Sequence, residues 1–148
     1  MSFSGKRILL TGGAGGLGAL VRRRLQAEGG QVTVMDRVEP AGAGAAMIHD
    51  LSTIDGIEAA GQAAAARPWH VLVNLAGVQH FGPVEHEAPA HVAAGYMVNL
   101  VAPVRLVQAV LPIMKARRDG QIVNIGSIFG SINFAHFATY SSAKAGVK

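Results

Sequence analysis

Thr11-Gly12-Gly13-Ala14-Gly15-Gly16-Leu17-Gly18 stands between a short apolar run at residues 7–10 and a segment where Leu17, Leu20, Val21 and Leu25 recur at helical spacing. The order reads as a strand, a tight glycine turn and a helix. On that helix the basic run 22–24 is expected to turn mostly outward, and Gly29-Gly30 supplies the stop. A glycine cluster in this place lets backbone amides come close to a pyrophosphate, whose charge the helix N-terminus stabilises. Only glycine combines such close approach with positive φ. Taken alone, the cluster is equally compatible with an ordinary glycine-rich turn.

The flanking pattern supports the first reading. Residues 31–35 alternate as a second strand that stops at Asp36-Arg37, so Asp36 falls 18 residues beyond Gly18. A carboxylate at the end of that strand can accept hydrogen bonds from the ribose hydroxyls of NAD; its plainer role is that of a turn or cap residue. Residues 41–46 read as a loop, 47–49 as a short third strand and 53–66 as an Ala-rich helix. A fourth strand follows at 71–74, then a long helix from near Pro89 to near Arg117, then a fifth strand at 121–125. Strands alternating with helices at this spacing predict an α/β fold, a Rossmann-type doubly wound parallel sheet with helices on both faces. The unbroken apolar run Val71-Leu72-Val73 suits a strand buried on both sides. The whole of 1–148 is read as a single dinucleotide-binding domain.

Composition narrows the function classes. Half of the 148 residues are apolar and 15% are charged, which excludes a disordered chain. Thirteen Lys and Arg against nine Asp and Glu leave a net charge of +4, but the basic residues are scattered apart from runs at 22–24 and 117–118, a poor footprint for nucleic acid. Without cysteine there is no disulfide framework, thiolate zinc site or cysteine nucleophile. His80, His86 and His91 lack metal-ligand spacing, so no metal is expected. The first fifteen residues match neither a secretory signal nor a transit peptide, and a cytoplasmic location is the default expectation. The most apolar stretch, 98–114, is interrupted by Asn99, Arg105, Gln108 and two prolines, so no membrane span is expected.

The spacing Thr11-Gly12-x-x-x-Gly16-x-Gly18 resembles the classical short-chain dehydrogenase/reductase family, and further motifs fall in the family's order. Asp50-Leu51 is similar to the pair that contacts the adenine, and Asn74-Leu75-Ala76-Gly77 to the element after the fourth strand, with Leu75 replacing the family's second asparagine. Asn99 lies in the long helix, Ser127 follows the fifth strand, and Tyr140-Ser141-Ser142-Ala143-Lys144 matches Tyr-x-x-x-Lys. The resemblance implies an oxidoreductase that interconverts an alcohol and a carbonyl, with Asn99, Ser127, Tyr140 and Lys144 as catalytic residues. It implies a cofactor site at Gly12, Gly16, Leu17, Gly18, Asp36, Arg37, Asp50, Leu51, Asn74, Ala76 and Gly77, with Tyr140 and Lys144 at its nicotinamide end. NAD is expected ahead of NADP because of Asp36, although Arg37 could reach a 2′-phosphate. Residues four apart on a helix share a face, so Tyr140 and Lys144 can act on one ligand. An adjacent ammonium favours a phenolate, which assigns Lys144 a tuning role.

Between Ser127 and Tyr140 lie Phe129, Ile132, Phe134 and Phe137, expected to border the substrate pocket or to pack on the following helix. Family members run to about 250 residues, so the resemblance implies that two strands and a lid segment are missing here. A truncated, non-catalytic nucleotide-binding remnant is therefore the alternative reading. The expected partners are a small alcohol or ketone and further copies of the chain, as a dimer or tetramer, with neither nucleic acid nor membrane.

Overall fold

The computed structural model describes residues 2–42 and 44–147. Five parallel strands form one sheet in the order β3-β2-β1-β4-β5. The strands are β1 (Arg7–Thr11), β2 (Gln31–Asp36), β3 (Ala45–Ile48), β4 (Val71–Asn74) and β5 (Gln121–Asn124). β1 lies at the centre, with Leu10 level with Val34 of β2 on one side and with Val73 of β4 on the other. The order in which strands are added reverses after β3, so the connections leave β1 and β4 toward opposite edges and open a crevice above their C-terminal ends.

Alternation along the central strands sends side chains into two cores. Ile8, Leu10, Val32, Val34, Val71 and Val73 pack on one face with Val21 and Leu25 of α1 (Gly16–Ala27). Leu9, Met35 and Leu72 pack on the other with Ile57, Ala60 and Ala64 of α2 (Ile54–Ala65) and with Leu106, Val110 and Met114. Thr53 caps α2, its Oγ1 accepting from the Gly56 amide at 3.1 Å.

The long helix runs continuously from Pro89 to Arg117 over 29 residues. It comprises α3 (Pro89–Tyr96), a π-helical turn (Met97–Val101) and α4 (Ala102–Arg117). By length and composition it could cross a bilayer, but Val98, Ala102, Leu106, Val110 and Met114 are buried in the core, which makes it a packed element of the sheet layer. A short 3-10 turn (Ile128–Gly130) and α5 (Ala138–Ala145) follow β5.

Two expectations need correction. The third strand begins at Ala45 rather than Met47, because pairing to β2 at Thr33 and Val34 uses backbone groups and needs no large side chain. Arg22 is buried, not turned outward, while Leu17 and Leu20 are 62% and 57% exposed. The Arg22 guanidinium reaches the β2–β3 connection, where Nη2 donates to the Ala41 carbonyl at 3.0 Å. Arg23 and Arg24 do face solvent.

Candidate active site

At the centre of the crevice, glycines set how closely backbones can pass. A Cβ on Gly18 would stand 1.9 Å from the Gly12 carbonyl oxygen, and one on Gly12, at φ +72°, would stand 2.7 Å from Ala76 Cα. The first helical turn thus sits directly on the strand exit, and the segment after β4 on the glycine loop. Gly15 and Gly16 instead face open space. Both line a cleft of about 500 Å³, large enough for an extended ligand. Thr11 fixes the two central loops together, its Oγ1 accepting from the amides of Leu75 and Ala76, both at 3.0 Å.

One end of the cleft is acidic. Asp36 Oδ2 accepts from the Ala14 amide at 3.0 Å and Oδ1 from the Arg37 amide at 2.8 Å. These contacts orient the carboxylate at the rim and leave lone pairs for a ligand hydroxyl. Asp50 accepts from the amide and hydroxyl of Ser52 at 2.9 and 2.7 Å. The backbone bond first, and the hydroxyl second, hold its carboxyl below the usual aspartate range.

At the other end stand Tyr140 and Lys144, placed on one face of α5 by their four-residue spacing. Lys144 is buried, its Nζ donating to the Ile125 carbonyl at 2.7 Å and lying 5.9 Å from the Tyr140 ring centroid. Burial pushes its ammonium below the usual lysine range. The α5 backbone approaches the turn after β5 so closely that a Cβ on Gly130 would meet the Lys144 carbonyl oxygen at 2.6 Å. From α3 the helix is held by the Tyr96 hydroxyl, 2.8 Å from Ser142 Oγ. Glu87 Oε2 accepts from the Thr139 hydroxyl at 2.7 Å.

The sequence-expected residues are thus divided by the structure. Gly12, Gly16, Leu17, Gly18, Asp36, Arg37, Asp50, Leu51, Ala76, Gly77, Tyr140 and Lys144 line the cleft. Asn74 and Asn99 lie beneath it. Asn74 Nδ2 donates to Asn124 Oδ1 at 2.9 Å, joining the ends of β4 and β5. Asn99 sits in the π-helical turn and clamps Val78, donating to its carbonyl at 2.8 Å and accepting from its amide at 3.2 Å. Ser127 lies just past the lining residues Ile125 and Gly126, and its Oγ accepts from the Phe129 amide at 3.2 Å.

Sequence reasoning missed His49 and the Ile125-Gly126 pair, which line the cleft. Both places lie just past the C-terminal ends of strands, the positions where open α/β sheets gather ligands, and that rule could have found them.

The family model for short chain dehydrogenase matches residues 6–148. The ketoacyl reductase HetN of Nostoc sp. is 32% identical, over 99% of this chain and 56% of its own length. D-xylose 1-dehydrogenase of Caulobacter vibrioides is 30% identical, over 99% of this chain and 63% of its own length. A metagenomic short-chain oxidoreductase solved in complex with NADP superposes with a TM-score of 0.86 at 35% identity, over 99% of this chain and 72% of that one. The chain therefore spans between half and two thirds of the curated relatives named here. Match, sheet order and glycine turn agree: the chain belongs to the short-chain dehydrogenase family.

Proposed function

We propose that the protein interconverts a secondary alcohol and a carbonyl, with Tyr140 as acid/base and with NAD(H) preferred to NADP(H). The observation that carries this reading is one cleft holding Asp36 and the open Gly15-Gly16 backbone at one end and Tyr140 with Lys144 at the other. Such a cleft suits a dinucleotide, because the bare glycines give diphosphate oxygens room to reach amides and Asp36 offers acceptors to ribose hydroxyls. When bound, the dinucleotide supplies or accepts the hydride.

The side chains handle the proton and the developing charge. In reduction the Tyr140 phenol gives its proton to the substrate oxygen, and in oxidation the phenolate takes one from the alcohol. Lys144, already drawn toward the ring, stabilises the phenolate and holds a ribose hydroxyl. Ser127 Oγ accepts from the Phe129 amide, and among the described residues its hydroxyl proton has no acceptor. It donates that proton to the same substrate oxygen and so stabilises charge as it forms. Asn99 acts from below, fixing the Val78 backbone beside the cleft. The Asp36 carboxylate repels a 2′-phosphate, and residues 13–15 carry no basic side chain to attract one.

The test is steady-state reduction of NAD by the full-length protein over a panel of secondary alcohols, read from nicotinamide absorbance. Turnover with NAD is expected. A protein that binds NAD but transfers no hydride in either direction would contradict the proposal.

A further inference from the structure

Beyond the reaction type, the ring cluster beside Tyr140 points to a substrate class. We propose that the site takes a flat, apolar, uncharged carbonyl or secondary alcohol, of which an aryl methyl ketone is the simplest form, in preference to a polyol or an anionic hydroxy acid. The inference rests on the dehydrogenase reading above.

Four of the five phenylalanines form one connected set that starts on the Tyr140 ring. Phe129 stands edge-on to Tyr140 at 6.3 Å between centroids. Phe134 and Phe137 pack on Phe129 at 4.9 and 4.7 Å. Phe81 joins from the segment after β4, 5.1 Å from Phe137 and edge-on to the His136 ring. Rings from two distant stretches of chain therefore meet on one side of the proposed acid/base. Phe129 and Phe137 are partly buried and hold the set together, whereas Phe81 and Phe134 remain 71% and 53% exposed, beside Ile128 and Ile132. Offset and edge-to-face geometry favours a further flat ring over an irregular polar solute. Continuity with Tyr140 makes that ring part of the molecule whose oxygen Tyr140 serves.

The polar inventory of the same walls argues in the same direction. Residues 126–137 contain no Asp, Glu, Lys or Arg. Next to them, joined by the Gly82 amide donating to the His136 carbonyl at 3.2 Å, residues 77–89 carry two charges, both acidic, and Glu87 is already engaged by the Thr139 hydroxyl. A carboxylate on the substrate would find no cation on these two walls and would face Glu85 and Glu87. A polyol would lose water from hydroxyls that phenyl rings cannot satisfy.

The experiment compares kcat/KM of the full-length protein for phenyl methyl ketone, acetone, D-xylose and gluconate in the appropriate direction. It then repeats the two ketones with Phe81→Ser and Phe134→Ser. Phenyl methyl ketone is expected to exceed acetone by about tenfold or more, the range that burial of apolar groups gives in enzyme pockets. Both sugars are expected to fall lower still, and either serine variant should narrow the aryl-to-acetone ratio several-fold through KM. Preference for D-xylose or gluconate would overturn the substrate class and leave the dehydrogenase reading intact. Hydride transfer to or from none of the four would overturn the substrate class, and the panel of secondary alcohols above then decides the dehydrogenase reading separately. If the variants alter the molar mass in light scattering and leave the ketone ratio unmoved, the rings cover a protein interface and the proposal is wrong.

Discussion

Asp36 accepts two backbone amides and still lines the cleft, and under the proposed function its fixed carboxylate repels a 2′-phosphate. Asp36→Ser is expected to lower the NAD-to-NADP affinity ratio by about tenfold or more, equivalent to roughly 1.4 kcal/mol. Titration calorimetry with both cofactors measures this, and an unchanged ratio would remove Asp36 from cofactor choice. Lys144 makes a second residue-scale prediction. Its folded-state pKa lies below its unfolded value, so between those two values the unfolded chain binds more protons and stability rises with pH. The gain is complete above the unfolded value of about 10.4 and is lost as pH falls through the folded one. In the protein without cofactor, Lys144→Met should abolish this alkaline rise in Tm; a rise that persists in the variant would place the titration elsewhere.

At the scale of elements, the glycine turn was legible because its chemistry is local: a strand, a cluster of residues without Cβ and a helix can be read in one window. Gly18 makes this concrete. Gly18→Ala would drive a methyl into the Gly12 carbonyl, which stands 1.9 Å from the added carbon, and about 1–3 kcal/mol of stability should be lost through overpacking. Denaturant unfolding reads that loss, and a variant as stable as the parent would show that the loop can yield. What the sequence hid was set by partners distant along the chain. Arg22 looked like part of a solvated basic run, and its burial follows from a carbonyl at Ala41 in a connection that local periodicity does not describe. The π-helical turn at Met97–Val101 leaves no mark on apolar spacing, yet it is where Asn99 turns toward Val78. Likewise the sequence places Asn74 in a motif that resembles a cofactor element, and its contact with Asn124 depends on β4 and β5 lying side by side.

For the molecule as a whole, the expected cofactor residues other than Asn74 line one cleft, and the described residues leave one side of β5 without a strand partner. Ile122 and Val123 of β5 pack on opposite faces of the sheet and are only partly buried, and an unpaired strand edge between such faces invites pairing with another chain. A polypeptide of these 148 residues is therefore expected to self-associate in light scattering, and a stable monomer at micromolar concentration would contradict the expectation. Under the proposed function, catalysis turns on a single proton held by Tyr140, and the most direct measurement pairs steady-state turnover of the full-length protein with cofactor binding in Tyr140→Phe. Turnover should fall by at least about a hundredfold, the scale of a lost acid/base group, while NAD binds as in the parent. Substantial turnover in that variant would mean that another residue moves the proton.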